Sequence, residues 1–291
     1  MKRPHATILV AAAVSLLAAS GAESAPPDSA YGWLDDVPTR RLSESFEPPM
    51  GFARVPVAPG SYGAWLRHLP LAPAGTPVRN HDGSRKPNQD SAAAVIAIDV
   101  GERDLQQCAD AVMRLRAEYL RAAGRREDLS FNFTSGDPYP YARWLAGVRP
   151  RVEGNEVRWV QRAAVGDSRR QFRAWLDLVF TYAGTWSLER EARPVPSVSN
   201  LRIGDVLIQG GFPGHALLVV DLARSSTGET AALLAQSYMP AQSIHVVVNA
   251  ADPAGGPWYR LDDERPIRTP DWPEAFSPKD FRRLPDRLPQ G

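Results

Sequence analysis

The chain has 291 residues, with 34 basic and 33 acidic side chains and a formal net charge of +1. This balance disfavours a nucleic-acid partner, which would favour a basic surface. The 27 prolines and 22 glycines fall mainly outside the periodic segments, which predicts a globular protein with many loops.

The N-terminus predicts an exported protein. Two basic residues precede an apolar run at 6–19, and small residues follow, which is typical of a secretory signal. The run is too short and Ala-rich to predict a membrane span. We therefore expect a signal peptide at 1–22 and a periplasmic or extracellular protein without a membrane span once the signal is removed. A Pro-rich leader at 23–45 and a single domain at 46–291 would follow.

The periodicity of the apolar residues predicts helices before strands. The predicted helices are 62–71, 104–120, 141–145 and 170–185. The predicted strands are 92–100, 129–134, 156–162, 206–209, 215–222, 231–238 and 243–249. Helices that precede a run of short strands favour an α+β fold with an antiparallel sheet.

The helix predicted at 104–120 has the strongest pattern. Its apolar residues recur three or four positions apart and form one stripe. Asp104 is expected to cap its N-terminus, with Gln107 completing a variant of the capping box. Cys108 then lies about one turn inside the helix and on the apolar stripe.

Cys108 is the only cysteine of the chain. A lone thiol in an exported protein forms no internal disulfide, so it is either reactive or buried. A helix start lowers the pKa of a thiol, and His215, which opens a predicted strand after three glycines, would accept its proton. The alternative is that Cys108 is a core residue, since free cysteine is often fully buried.

The following hairpin supplies a third group. If the strands at 215–222 and 231–238 pair around a turn near residue 226, Ser237 lies opposite His215 and Gln236 lies beside it. Either Gln236 or Ser237 would then orient the imidazole. Gln106 and Gln107, next to the cysteine, are candidate donors to an oxyanion.

Other motifs are weaker. The aromatic loop at 135–144 would suit a sugar or a peptide, although a packed surface turn is the alternative. The histidines show no zinc-binding spacing, and the chain has no phosphate-binding glycine loop with its lysine. We therefore expect neither a metal nor a cofactor.

Three blocks of the chain resemble the signatures of an exported bacterial family known as domain of unknown function 4846. They are residues 106–120, 204–216 and 234–242. The resemblance extends from about Tyr31 to Phe276. It implies a single domain and brings no established activity.

A more distant similarity is to the NlpC-type and CHAP-type amidases and peptidases. In those proteins a Gly-Asp strand precedes a strand led by histidine, as Gly204 and Asp205 precede His215 here. The similarity implies a papain-like core, in which the helix that carries the cysteine packs on an antiparallel sheet.

Two functions follow as hypotheses. The first is an exported cysteine hydrolase, an amidase or peptidase that cleaves cell-wall peptide or a related envelope amide, with Cys108 as nucleophile and His215 as base. The second is a non-catalytic envelope protein of the same fold that binds a glycan or a peptide. A purely structural protein is a third hypothesis.

Overall fold

The computed structural model describes residues 25–34 and 40–286, and the predicted signal peptide lies outside them. The described helices are α1 (Leu42–Ser45), α2 (Tyr62–Arg67), α3 (Cys108–Ala122), α4 (Tyr141–Leu145), α5 (Arg169–Tyr182) and α6 (Thr185–Glu191). The described strands are β1 (Phe52–Arg54), β2 (Ala92–Val95), β3 (Val148–Glu153), β4 (Glu156–Gln161), β5 (Arg193–Pro194), β6 (Val206–Gln209), β7 (His215–Ser225), β8 (Thr230–Gln236), β9 (His245–Val247), β10 (Tyr259–Leu261) and β11 (Phe281–Arg283). Helices combined with antiparallel strands confirm the α+β class.

Nine of the described strands form one antiparallel sheet. Its order is β2-β9-β8-β7-β6-β11-β5, and β1 pairs with β7 while β10 pairs with β8. β7 lies in the middle, and its first nine residues are buried. The near-continuous apolar sequence of β7 is what a strand covered on both faces requires. β3 and β4 form a separate hairpin.

α3 packs against β7, and its N-cap lies three residues later than predicted. Gln107, and not Asp104, is the N-cap, and its backbone N–H donates to the Asp110 carboxylate at 2.9 Å. The Asp104 carboxylate instead accepts the backbone N–H of Ala241 at 2.6 Å. Cys108 is therefore the first residue of the helix, where backbone N–H groups have no partner within the helix.

Four of the five charged side chains of α3 are buried together with its apolar stripe. Arg114 is 1% exposed and forms ion pairs with Asp99 at 2.8 Å and Glu118 at 2.9 Å. Arg169 of α5 also pairs with Glu118, at 2.6 Å. Because Arg114 and Glu118 both have counter-charges, this part of the helix can be enclosed without leaving an isolated ion in the core.

The aromatic loop at 135–144 does not form a ligand-binding wall. Tyr139 and Tyr141 are fully buried, and Trp144 is nearly so. The Tyr139 hydroxyl donates to the carbonyl of Val148 at 2.8 Å. The loop is therefore a packed turn, because burying its three large aromatic rings is more favourable than leaving them in contact with water.

A buried carboxylate connects the N-terminal elements to the central strand. Asp221 of β7 is fully buried and accepts hydrogen bonds from Arg54 and Arg67, each at 2.8 Å. Arg54 belongs to β1 and Arg67 to the end of α2. One carboxylate therefore holds two elements that are distant in sequence against β7.

We expect Asp221→Asn to lower the free energy of unfolding by about 3 kcal/mol, because it leaves two largely buried guanidinium groups without their counter-charge. Urea denaturation followed by circular dichroism measures the loss. Glu153→Gln is the control, since Glu153 pairs with Arg151 in an exposed position and should change stability little. Equal losses in the two variants would contradict a special role for Asp221.

Candidate functional site

Cys108 is one of the residues that line an open cleft of about 390 Å³. The cleft is bounded by the turn before α3, the start of α6 and the loop at 211–214. Cys108 is 5% exposed, so only a small part of it faces solvent. The cleft therefore reaches the N-terminus of α3, where Cys108 is the first helical residue.

The glycine turn before β7 lets this cleft form. A Cβ atom at Gly214 would lie 2.6 Å from the carbonyl oxygen of Gln209 and 2.3 Å from the Thr185 hydroxyl oxygen. Both distances are shorter than real Cβ contacts, so a side chain would displace β6 or the start of α6. The backbone at Gly214 therefore lies close to β6 and to the start of α6, as glycine in a strand turn allows.

The thiol is held in its protonated form. Burial, followed by the nearby Asp110 carboxyl, raises the pKa of the Cys108 thiol to about 12. The backbone N–H groups of Ala216, Ala109 and Cys108 point towards the sulfur and oppose this rise. The start of a helix therefore favours the thiolate here, but it does not outweigh burial.

The sulfur lies beside the backbone on both sides of His215. Its distance to the carbonyl oxygen of Gly214 is 3.9 Å, and the N–H of Ala216 is directed at it. In an extended strand, the carbonyl of one residue and the N–H of the residue two positions later point to the same side of the strand. Cys108 therefore occupies the space next to the first residues of β7, adjacent to His215.

The imidazole of His215 is fully buried, and its two nitrogens have different surroundings. Nε2 lies 2.8 Å from Oε1 of Gln236. A carbonyl oxygen only accepts, so Nε2 carries the proton and Nδ1 has a free electron pair. Nδ1 is buried and has no hydrogen-bond partner among the described residues. An unpartnered ring nitrogen of this kind is available to accept a proton.

Burial also sets the charge of His215. It lowers the pKa of the imidazole to about 4, although the Gln236 hydrogen bond and the Asp271 carboxylate act in the opposite direction. The rings of Trp272 and Tyr238 lie 5.2 Å and 5.1 Å from the imidazole. His215 is therefore neutral at physiological pH, as a general base must be.

A bulge in β7 decides which residue of β8 shares a face with His215. Near the hairpin turn Arg224 lies opposite Thr230, whereas beyond the bulge at residue 220 Leu218 lies opposite Ala235. This shift of one residue puts Gln236, and not Ser237, on the His215 face of the sheet. Of the two predicted partners, Gln236 is the one that contacts the ring.

Ser237 and the two glutamines before the cysteine have other contacts. The Ser237 hydroxyl lies 2.8 Å from the carbonyl oxygen of Gln106, and so connects β8 to the turn before α3. The Gln106 side chain is buried and accepts a hydrogen bond from Arg114 at 2.9 Å. Only Gln107 lines the cleft. The backbone N–H groups at the start of α3 are therefore better placed than Gln106 to stabilise an oxyanion.

A buried polar network extends from His215 on the face of Gln236. Gln236 Nε2 donates to Asp271 Oδ2 at 2.7 Å and lies 3.3 Å from Nε2 of His245. Lys86 Nζ lies 2.6 Å from the same Asp271 oxygen. Burial raises the pKa of Asp271, but its contacts with His245 and Lys86 hold it well below its usual range. No motif in the sequence points to Lys86 or Asp271, because both are distant from His215 in the chain.

Large apolar side chains surround the mouth of the cleft. Phe212 and Met239 line it and are 79% and 43% exposed. The Trp186 ring is 40% exposed and lies 6.4 Å from that of Phe212. These three are most of the exposed large apolar residues in the described part of the chain, and such clustering is typical of a binding surface.

Residues 25–34 and 40–286 contain neither a metal-binding cluster nor a membrane-spanning helix. No group of three or more His, Cys, Asp or Glu side chains there is arranged to hold a metal ion. In the same residues, no helix has the length and apolar character needed to cross a membrane.

Comparison with known proteins identifies a family. The model of the family described as domain of unknown function (4846) matches residues 42–283, and the chain belongs to this family. No curated protein matches the chain, and no solved structure does.

Proposed function

We propose that this member of the domain of unknown function 4846 family is a cysteine hydrolase with a papain-like core. Cys108 is its nucleophile, His215 its general base and Gln236 the residue that orients the imidazole. The observation that carries the proposal is that Nδ1 of His215 has no hydrogen-bond partner in the described residues, while Gln236 bonds to Nε2 of the same ring. His215 also begins the strand whose backbone contacts the Cys108 thiol at Gly214.

The placement of the two residues supports the papain-like core. Cys108 begins a helix that packs on an antiparallel sheet, and His215 begins the central strand of that sheet. NlpC-type and CHAP-type enzymes share this order of cysteine helix and histidine strand. The sequence pattern predicts the cysteine one turn inside the helix, but α3 begins at Cys108 itself. This position of the cysteine increases the similarity to those enzymes.

The reaction begins with a neutral thiol and a neutral imidazole. Nδ1 of His215 takes the thiol proton as the sulfur attacks the carbonyl carbon of an amide, and the resulting opposite charges stabilise each other. The N–H groups at the start of α3 stabilise the oxyanion. His215 then gives the proton to the leaving amine, and a thioester forms on Cys108. Water, deprotonated by His215, hydrolyses the thioester and restores the thiol.

The substrate class rests on location and access. A signal peptide, as the sequence predicts, would direct the protein to the envelope or outside the cell, where peptide stems of the cell wall present amide bonds. The cleft is open and carries apolar side chains at its mouth, which suits an extended chain better than a small enclosed ligand. We therefore propose cell-wall peptide, or a related envelope amide, as substrate.

Hydrolysis of purified cell-wall stem peptides tests this function. Mass spectrometry should detect a new amine and a new carboxylate with the native protein, and neither product with His215→Ala. Half-buried His81 provides a control, because His81→Ala removes a histidine that is not part of the site. Equal activity of native protein and His215→Ala would rule out this mechanism.

The pH dependence of kcat/KM should report His215. Since only the neutral imidazole accepts the thiol proton, activity should fall as the pH drops through about 4, the pKa that burial gives to His215. Activity should change little from there to neutral pH. A steady-state pH profile checks this, and an acidic limb near pH 6.5, the ordinary value of histidine, would contradict a buried base.

A binding protein without activity is the second candidate function. The raised pKa of Cys108 and the exposed rings of Trp186 and Phe212 favour it. A glycan or a peptide would then bind at the mouth of the cleft. Saturable binding of cell-wall fragments, unchanged by Cys108→Ala and without products, would support this function over hydrolysis.

A further inference from the structure

Three hydrogen bonds, all at least partly buried, connect Lys86 to the imidazole of His215. Lys86 Nζ contacts Asp271 Oδ2 at 2.6 Å, Gln236 Nε2 contacts the same oxygen at 2.7 Å, and Gln236 Oε1 contacts His215 Nε2 at 2.8 Å. Lys86, Asp271 and Gln236 lie in the loop before β2, the segment after β10 and β8. Three distant parts of the chain therefore form one chain of hydrogen bonds that ends at the His215 ring.

Asp271 determines which way the Gln236 amide points. A carboxylate accepts hydrogen bonds and donates none, so the amide must present its NH₂ group to Asp271. The opposite orientation would bring the amide oxygen within 2.7 Å of a carboxylate oxygen, which is repulsive in a buried site. The amide oxygen of Gln236 is therefore left facing His215.

Lys86 keeps Asp271 ionised in this buried position. Its ammonium group is itself buried and contacts both Asp271 and the hydroxyl of Ser91. A buried carboxylate without a cation would tend to take up a proton and become a donor. It could then turn the Gln236 amide around.

We infer that Asp271 is a positioning residue: by fixing the amide of Gln236, it places the imidazole proton on Nε2 and keeps Nδ1 of His215 free for the Cys108 thiol. This role rests on the proposed function for its catalytic consequence. The hydrogen-bond chain itself predicts the tautomer whether or not the protein is an enzyme.

Nitrogen-15 NMR of histidine-labelled protein near neutral pH tests the inference. In the native protein the His215 signals, assigned with His215→Gln, should show a single tautomer with the proton on Nε2. Asp271→Asn should give a mixture of tautomers, because the new amide can donate as well as accept. A proton on Nδ1 in the native protein, or an unchanged single tautomer in folded Asp271→Asn, would overturn the inference.

Two further variants separate tautomer control from general loss of structure. Lys86→Arg keeps a cation beside Asp271 and should retain the Nε2–H tautomer in most molecules, even if the protein is less stable. Asp262→Asn, on an exposed turn of the same C-terminal segment, should leave the ring signals unchanged. A tautomer mixture in Asp262→Asn would contradict the specific role of Asp271.

Kinetics add a second readout. Asp271→Asn should lower kcat about tenfold with little change in KM, because a fraction of the molecules holds the wrong tautomer. An effect on KM alone would overturn a role in positioning the base. If the native protein cleaves no amide but the NMR results hold, the proposed function fails while the link from Asp271 to His215 is still supported.

Discussion

Cys108→Ala should abolish amide hydrolysis, with a fall in kcat of about 10⁴-fold or more, because no other thiol in the chain can form the thioester. Cleavage of stem peptides, followed by chromatography of the products, measures the loss. The variant should remain folded, since it replaces a small buried group by a smaller one and leaves the α3 N-cap at Gln107 intact.

Cys108→Ser tests the same step with a smaller structural change. The hydroxyl fits the site but is a far weaker nucleophile, so turnover should be close to that of Cys108→Ala. Native-like turnover in either variant would show that the reaction does not use this residue. Circular dichroism spectra like that of the native protein are needed for both variants before the rates are compared.

Gln236→Leu should reduce kcat about 10³-fold, because the imidazole loses the acceptor that holds its proton on Nε2. Leucine is similar in size, so the packing of β8 should persist. The buried Nε2–H is left without a partner, which should also lower the free energy of unfolding by about 2 kcal/mol. Steady-state kinetics and urea denaturation measure the two effects.

Gln242→Leu is the matched control for Gln236→Leu. Gln242 is also a buried glutamine, but its Oε1 has no hydrogen-bond partner in the described residues, whereas Gln236 Oε1 bonds to His215. Its replacement should leave kcat close to the native value. Similar losses of activity in both variants would mean that Gln236 acts through packing and not through the ring.

The local elements could be predicted from the sequence where the periodicity is strong. α4 and β6 have the predicted bounds, and the α3 and β7 segments were identified with shifted ends. The predicted strand at 129–134 is an irregular segment with a single bridge from Asn132 to Pro138. Its phenylalanines are buried by tertiary packing, which alternation alone does not distinguish from pairing in a sheet.

The candidate site was predicted only in part. The sequence suggested Cys108, His215 and Gln236, but a turn centred near 226 favoured Ser237 as the residue opposite His215. The bulge in β7 changes the register by one residue, and no local signal predicts a bulge in an apolar strand. Lys86 and Asp271 were missed because their contacts depend on how distant segments pack.

The start of α3 shows how local signals compete. Asp104 and Gln107 are both reasonable caps, and the sequence pattern favoured Asp104. In the structure the Asp104 carboxylate accepts the N–H of Ala241 instead. This long-range contact moves the helix start to Cys108 and with it the thiol to the first helical position.

The reaction of Cys108 with iodoacetamide at different pH values tests the central claim most directly, because it needs no substrate. If Nδ1 of His215 takes the thiol proton, the rate in the folded native protein should rise through about pH 4 and then remain nearly constant to neutral pH. In His215→Ala it should instead increase about tenfold per pH unit, as the thiolate fraction does for a thiol with a high pKa. A native profile identical to that of His215→Ala, or labelling only after unfolding, would contradict a Cys108–His215 pair.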